Sequence, residues 1–366
     1  METLLSFLIV LSVLVFVHEF GHYWIALRNG VKVEAFSIGF GPEIFGWNSK
    51  SGTRWKFCLL PLGGFVKMHG DMNPASAGKP DDLSPVERAS AFHHKSLKAR
   101  AAIVAAGPIA NLLFAVVAFV ILFSVIGIQN PLPVVGEIQE NSPAALAGLQ
   151  TGDKIISVDD QKIEKFSDLT ELVHDNPSRA MTFNIERNGA LIDLLVTTGS
   201  SNADNAASTE VGYLGIGVGA FETVRLNIVE GTGKAFMMSW ELLALTVTSF
   251  GGLFTGAVET SDLGGPIMIA QMSGEMFEAG IGPLVIFMAY LSINLAVINL
   301  VPLPALDGGH LVMYGIEAVR GKPLGARVQE WSYRVGGSLI LALIVFSTWN
   351  DLSRLGVWTF ITGFVS

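Results

Sequence analysis

The sequence predicts a polytopic α-helical membrane protein of about four transmembrane helices. A membrane-associated β-hairpin sheet is expected on one side and one extracytoplasmic α+β domain on the other. Three observations carry that expectation. Half of the 366 residues are hydrophobic and only 15% are charged, with a mean hydropathy of +0.50, which is not the composition of an ordinary soluble globule. Residues 4–27, 109–128 and 282–301 each approach the ~20 apolar residues that a bilayer core requires. Charge is also unevenly shared along the chain. Residues 28–100 hold 11 Lys/Arg against 6 Asp/Glu, and residues 129–234 hold 7 against 15.

The first span, within residues 1–30, is read as a retained helix. It has no basic leader and no small-residue cleavage site. Excess Lys and Arg mark the cytoplasmic side, so residues 31–100 are expected inside and residues 129–220 outside, with the second span at 101–128. The segment 221–281 contains an ambiguous apolar stretch at 235–253. Because Glu259, Asp262, Glu275 and Glu278 follow it without a single Lys or Arg before Arg320, it is expected to lie on or dip into the outer face rather than to span. The third span covers 282–303. The loop 304–334, with Arg320, Lys322, Arg327 and Arg334, returns to the cytoplasm. A fourth span within 335–366 is short unless its helix begins among residues 329–334. Both chain ends then finish outside.

The first span carries the chemistry. His18-Glu19-Phe20-Gly21-His22 ends a run in which only Ser6 and Ser12 interrupt apolar residues. On a helix His18 and His22 fall one turn apart on one face, where two imidazoles grip one cation. Glu19 lies about 100° round the helix, able to act as a base towards water without occupying a ligand position. Ionisable groups at membrane depth are expensive and are functional candidates by default.

A catalytic zinc takes three protein ligands as a rule. The third candidate by position is Asp307, in the run from Asn299 through Pro302, Pro304, Leu306, Asp307, Gly308 and Gly309 to His310, which follows the third span to the same cytoplasmic level. Pro302 and Pro304 stop the helix, and Gly308 and Gly309 are expected to make the sharp turn that aims the carboxylate. Glu43, His69, Asp81, His93 and His94 compete on the same side, with His93 and His94 read as solvated surface. The direction of His310 is open. Two His and a carboxylate also describe non-haem iron sites, but the glutamate of this motif has a role in hydrolysis and none in oxygen activation.

HExxH in a first span, paired with NxxPxPxLDGG after a later one, resembles the site-2 protease family of intramembrane zinc metalloproteases. The resemblance implies Zn²⁺ held by His18, His22 and Asp307, with Glu19 as catalytic acid/base. It extends to the alternating strands between residues 33 and 68, similar to the family's membrane-reentrant β-loop. There the stretch containing Gly63, Gly64, Phe65 and Val66 resembles a substrate-side edge strand able to pair with an unwound peptide. Gly107-Pro108-Ile109-Ala110-Asn111 resembles the GPxxN element, in which Asn111 is read as bonding to a neighbouring span or to the β-loop. Asn294 and Asn299 on the third span are candidates to hold substrate backbone, or else polar glue between helices.

Residues 133–198 carry a strand, a short helix, a turn and strand, a second helix and two further strands, with an SPAxxAGLxxGDxIxxVD pattern that resembles bacterial PDZ domains. One copy is present, whereas the regulator of sigma-E branch of the family carries two. Residues 199–208 are read as a linker, and residues 212–217 as a last strand or a carboxylate-binding loop. The single Cys58 reads as a small buried hydrophobe, and the net charge of −9 gives no reason to expect nucleic acid.

The resemblance implies a bacterial inner-membrane endopeptidase with its active site near the cytoplasmic face and its PDZ domain in the periplasm. Its partners would be the lipid bilayer and single-span substrates, such as anti-sigma factors or remnant signal peptides. The PDZ domain would gate them by size or by peptide binding. Two rival readings remain: a metal transporter, since His/Asp sites also mark ion pathways, and an inactive PDZ-bearing scaffold.

Overall fold

The structure is a computed structural model that describes residues 2–70, 84–202, 210–256 and 264–355. Asp81, one of the competing ligands, lies outside the described residues. The chain divides into two compact units, one formed by Met1–Val125 with Asn227–Ser366 and the other by Ile126–Leu226.

Helix α1 (Glu2–Arg28) opens the first unit. Strands β1 (Val33–Asn48) and β2 (Arg54–Met68) follow, joined by a turn in which Gly52 takes a positive φ. Their register is more complex than a simple hairpin. Residues Ala35, Phe36, Ser37 and Ile38 pair with Arg54, Trp55, Lys56 and Phe57 and also with Lys67, Val66, Phe65 and Gly64. The first half of β1 therefore lies between two stretches of β2, and the Gly64–Met68 stretch forms an outer edge. Burial follows position along the strand rather than alternation: residues 36–39 are all buried, with Phe36 clustered with Tyr23, Ile103 and Tyr314, while Phe40, Ile44, Phe45, Leu59 and Leu60 stay exposed at the far end. Such an apolar patch on a polar sheet signals an apolar environment. Cys58 is buried, 3.3 Å from Ser37 Oγ.

A short helix, α2 (Pro85–Ser90), is closed by a capping box between Ser84 and Glu87. Helix α3 (Leu97–Ile121) is capped by Ser96 and ends in a π-turn at Leu122–Ile126.

The second unit is β-rich. Its strands are β3 (Ile128–Pro131) and β4 (Val135–Ile138), then, after α4 (Pro143–Leu146), β5 (Lys154–Val158) and β6 (Gln161–Lys162). Helix α5 (Phe166–His174) precedes β7 (Ala180–Arg187) and β8 (Ala190–Thr197). Four short strands complete it: β9 (Gly199–Asn202), β10 (Glu210–Tyr213), β11 (Ile216–Val218) and β12 (Phe221–Val224). One four-stranded sheet runs β6-β5-β7-β8, and β3/β12, β4/β11 and β9/β10 pair separately. Leu169 and Val173 of α5 pack on Ile155, Phe183, Ile185 and Val196. The start of the stretch read as a linker is strand: residues 199–202 pair with residues 210–213, and Gly212 lets this ribbon press on α5, where a Cβ would strike the Val173 carbonyl. Asp153 is buried and accepts two bonds of 2.7 Å from Arg187, to Oδ1 and Oδ2, and one of 2.8 Å from Gln150 N.

The first unit resumes with α6 (Ile228–Thr255), capped by Asn227, then α7 (Pro266–Glu278), α8 (Ile281–Leu300), α9 (Asp307–Arg320) and α10 (Ala326–Arg354). Among the described residues, four helices are long and apolar enough to cross a membrane: α1, α3 with its π-turn, α8 and residues 327–354 of α10. The helix that holds the fourth candidate begins at Ala326, ahead of the 329–334 expected from sequence. Helix α6 is not among the four, yet it packs along α3 and α8, and Thr246 Oγ1 donates to Asn294 Oδ1 at 3.1 Å. Helix α7 ties α1, α8 and α10 together. Gly274 sits against Thr3 of α1, and at its other end Asp351 of α10, 3% exposed, accepts from the backbone N–H groups of Gly265, Ile267 and Met268.

Two predictions follow from these buried carboxylates. Burial opposes ionisation of Asp153, but the Arg187 and Gln150 hydrogen bonds outweigh it and hold its pKa below the ordinary value. Its contribution to stability is therefore complete above about pH 4 and lost as pH falls towards the depressed folded value. Asp153→Asn should cost about 1–3 kcal/mol at neutral pH and flatten the acid limb, read by limited proteolysis of residues 126–226 against urea. Asp351→Ala removes a shared cap worth about 0.5–2 kcal/mol. Hydrogen exchange at Ile267 and Met268 should then accelerate roughly tenfold.

Candidate metal centre

The centre is built where α1 crosses α3. Gly21 lets the helices meet: a Cβ there would strike the Ala106 carbonyl and sit 2.7 Å from Ala110 Cβ. Next to Ala106 on α3, Gly107 faces the imidazoles, and a Cβ on it would overlap His22 Nε2 and come within 2.8 Å of His18 Cε1. The two rings thus occupy a cradle that any side chain at 107 would fill.

The irregular 301–306 segment brings in Asp307 as the first residue of α9. Neither Gly308 nor Gly309 makes the turn, since both are helical. The positive φ falls on Ala305, at 80°. The glycines are required for a different reason: a Cβ on Gly308 would strike the carbonyls of Leu300 and Val301, and one on Gly309 that of Leu303. They let the first turn of α9 press onto the end of α8 and the irregular segment before it.

His18 Nε2 and His22 Nε2 lie 3.3 and 3.4 Å from Asp307 Oδ2 and 3.2 Å from each other. His22 Nδ1 donates to the Ile103 carbonyl at 2.8 Å, which leaves Nε2 as a bare lone pair. Asp307 Oδ2 is buried and receives no hydrogen bond. Three lone-pair donors facing one another without a shared proton repel, unless a cation lies among them. Ligands of a tetrahedral zinc at 2.0–2.1 Å are themselves about 3.3 Å apart, the separation found here. Among the described residues this is the one cluster of His, Cys, Asp and Glu able to hold a metal ion, and its chemistry fits zinc.

Glu19 stands beside the cluster on α1. The β2 edge passes over it: Gly64 is so close to Val15 and Glu19 that a Cβ would lie 2.7 Å from Val15 Cγ1 and 3.2 Å from Glu19 Cγ. The Val66 backbone is within hydrogen-bonding reach of the Glu19 carboxylate. The structure therefore brings Gly64 and Val66 to Glu19, with Gly63 and Phe65 on the same strand. Asn294 faces Thr246 of α6, and Asn299 is half-buried near the end of α8.

The competing ligands are used elsewhere. Glu43 pairs with Arg54, and Glu34 holds His69 at 2.9 Å and Lys67 at 2.8 Å. His310 turns away to Tyr333, 3.3 Å from its hydroxyl. His93 is not plain surface but lines a polar cavity with His310, Arg100 and Glu317, while His94 is exposed.

A family model described as Peptidase family M50 matches residues 6–343. The chain belongs to that family. It is 42% identical over 362 residues to a Rhizobium meliloti (strain 1021) protein named "Putative zinc metalloprotease", covering 96% of this chain and 97% of that one. A protein of the same description from Agrobacterium fabrum is 42% identical over 361 residues, covering 96% of each. The regulator of sigma-E protease of Salmonella typhimurium is 32% identical over 455 residues, covering 96% of this chain and 98% of that protein. That alignment is longer than this chain, so that relative carries a stretch without counterpart here. The M50 assignment makes the chain a zinc metalloprotease of the site-2 type with several membrane helices, and it answers the transporter and scaffold readings.

Gly107 was not singled out as a site residue from sequence, where it read only as part of the GPxxN element. Its signal was a glycine inside an apolar span, one turn before Asn111. Gly107→Ala should lower zinc affinity by on the order of tenfold or more, the scale of losses around metal ligands. Zinc titration of the purified chain checks this, with circular dichroism showing that helix content is kept.

Proposed function

We propose that this M50 protease cuts the transmembrane segments of single-span membrane proteins, with zinc held by His18, His22 and Asp307 and Glu19 as acid/base. The observation that carries the reading is the convergence of those three donors beside Glu19, directly under the open edge of β2. Zinc, when bound, supplies a Lewis acid that polarises the scissile carbonyl and lowers the pKa of water towards ~7.

The remaining steps belong to the chain's own groups. A helical substrate hides its peptide bonds, so it must unwind before cleavage. The edge formed by Gly63, Gly64, Phe65 and Val66 offers backbone partners to the extended segment, and it delivers that segment to Glu19. Glu19 takes a proton from the attacking water and passes it to the leaving nitrogen. Asn294 and Asn299 hold substrate backbone on the α8 side, where Asn294 is already oriented by Thr246. The exposed aromatic and aliphatic tip of β1 and β2 dips into the bilayer, and α6 dips from the outer face along α3 and α8.

The sign of the charge distribution supports a bacterial inner-membrane setting with the active site near the cytoplasmic face and residues 126–226 in the periplasm. The strand and helix order of that unit supports a single PDZ domain that rejects substrates still carrying bulky exterior parts. The resemblance to a regulator of sigma-E protease makes release of an anti-sigma factor the leading use, and clearance of remnant signal peptides a second.

Substitution separates base from ligand. Glu19→Gln should leave zinc stoichiometry near wild type and lower cleavage of a transmembrane reporter by at least 10²–10⁴-fold, the usual weight of a general base. Asp307→Ala should lower both zinc content and cleavage. Normal turnover in the first variant, or normal zinc retention in the second, would contradict the assigned roles.

A further inference from the structure

Asn111 of α3 is completely buried at membrane depth. Its backbone carbonyl accepts from Ser292 Oγ at 2.9 Å, so the residue is fixed against α8. Its side-chain nitrogen lies 3.3 Å from His18 Nδ1, and its Oδ1 is buried without a hydrogen-bond partner. That placement conflicts with the chemistry of the ring. A histidine that offers Nε2 to a cation keeps its proton on Nδ1, so His18 Nδ1 is a donor facing another donor. The oxygen and nitrogen of an amide exchange places by a half-turn, and the hydrogen-bond network decides between them. The half-turn satisfies both the stranded oxygen and the ring N–H.

We propose that Asn111 is a positioning residue of the zinc centre, accepting the Nδ1–H of His18 on its amide oxygen and so aiming Nε2 at the metal. This rests on the ligand assignment above. The spacing on α3 supports it independently of the amide's orientation. Ile103, Gly107 and Asn111 recur every four residues on one face, and antiparallel to them run His22 and His18. The Ile103 carbonyl holds His22 Nδ1 at 2.8 Å, Gly107 leaves room for both rings, and Asn111 holds His18. One helical stripe thus supplies an acceptor for each imidazole, and a buried acceptor behind a ligating histidine fixes its tautomer and orientation. An amide does this at membrane depth without adding a charge.

The test uses the purified full chain and compares Asn111→Asp, which only accepts and keeps the shape, with Asn111→Leu, which keeps the volume and cannot bond. Zinc affinity is measured by chelator competition, and ligand geometry by the visible absorption of the cobalt-substituted protein. Asn111→Leu should weaken zinc binding by about 10–100-fold and shift the cobalt bands, whereas Asn111→Asp should bind zinc at least as tightly as wild type with its bands in place. If Asn111→Asp falls as far as Asn111→Leu, the amide donates rather than accepts and the proposal is overturned. It is equally overturned if Asn111→Leu matches wild type in affinity and spectrum, because the residue then only packs. Should Asn111→Leu not fold, Asn111→Asp alone decides: wild-type affinity and bands support the proposal, and a roughly tenfold or greater loss of zinc affinity overturns it. His18→Ala with undiminished zinc affinity would instead remove the ligand assignment, and this inference with it.

Discussion

The close crossing of α1 and α3 is the constraint on which the rest of the structure depends. Two imidazoles and two carboxylates cannot sit among lipid-facing helices unless each polar atom finds a partner. Water is scarce there, so partners must come from protein backbone and side chain. The crossing provides them because Gly21 removes the bulk on α1 and Gly107 removes it on α3. A wider separation would take the Ile103 carbonyl away from His22 and leave both rings without orientation. In soluble zinc proteins such support comes from many directions. Here it comes from one face of one neighbouring helix.

Much of this was legible in the sequence, because its cause is local. Helix spacing puts His18 and His22 together, and apolar runs mark the long helices, so α1 and α8 match the runs at 4–27 and 282–301, while α3 begins at Leu97, well before the run at 109–128. The strands of the second unit follow alternation and turn signals: the two last strands, expected over 181–187 and 191–197, are β7 and β8, each starting one residue earlier. What could not be read depends on contacts between distant segments. The double pairing of Ala35 through Ile38 needs the second half of β2 to fold back, and no local period announces that. The partner of Asn294 is Thr246, 48 residues away on a helix whose packing is not a property of its own sequence. His310 could not be aimed because a helix start fixes the direction of its side chains, and the sequence did not say that α9 begins at Asp307.

The site is also held from its far side by charge that never reaches the metal. Arg100 of α3 pairs with Glu317 of α9 at 2.6 Å, with both side chains mostly buried, and lies 4.9 Å from the Tyr314 ring centroid. Because α3 cradles the histidines and α9 carries Asp307, that pair fastens the two helices that must keep register for the three proposed ligands to meet. A buried pair of this kind contributes little net stability but strongly penalises separation, since parting would strand a charge. Its effect is on geometry more than on folding free energy.

The segment before Asp307 shows why the third ligand can be a short carboxylate on a helix end. Pro302 and Pro304 remove two backbone donors, and Ala305 holds a positive φ that an alanine adopts only at a cost. That strain persists because Gly308 and Gly309 clamp the new helix against the carbonyls of Leu300, Val301 and Leu303, while Gly336 of α10 closes on Pro304 from the other side. The result is a turn with little freedom, delivering Asp307 to the first position of α9. There the unpaired N–H groups of the helix start favour a negative charge. Burial opposes ionisation of Asp307, but His22 and His18 beside it outweigh that and hold its pKa below the ordinary carboxylate value. The proposed third ligand is aimed by backbone packing, and it is kept ionised by the two imidazoles it faces.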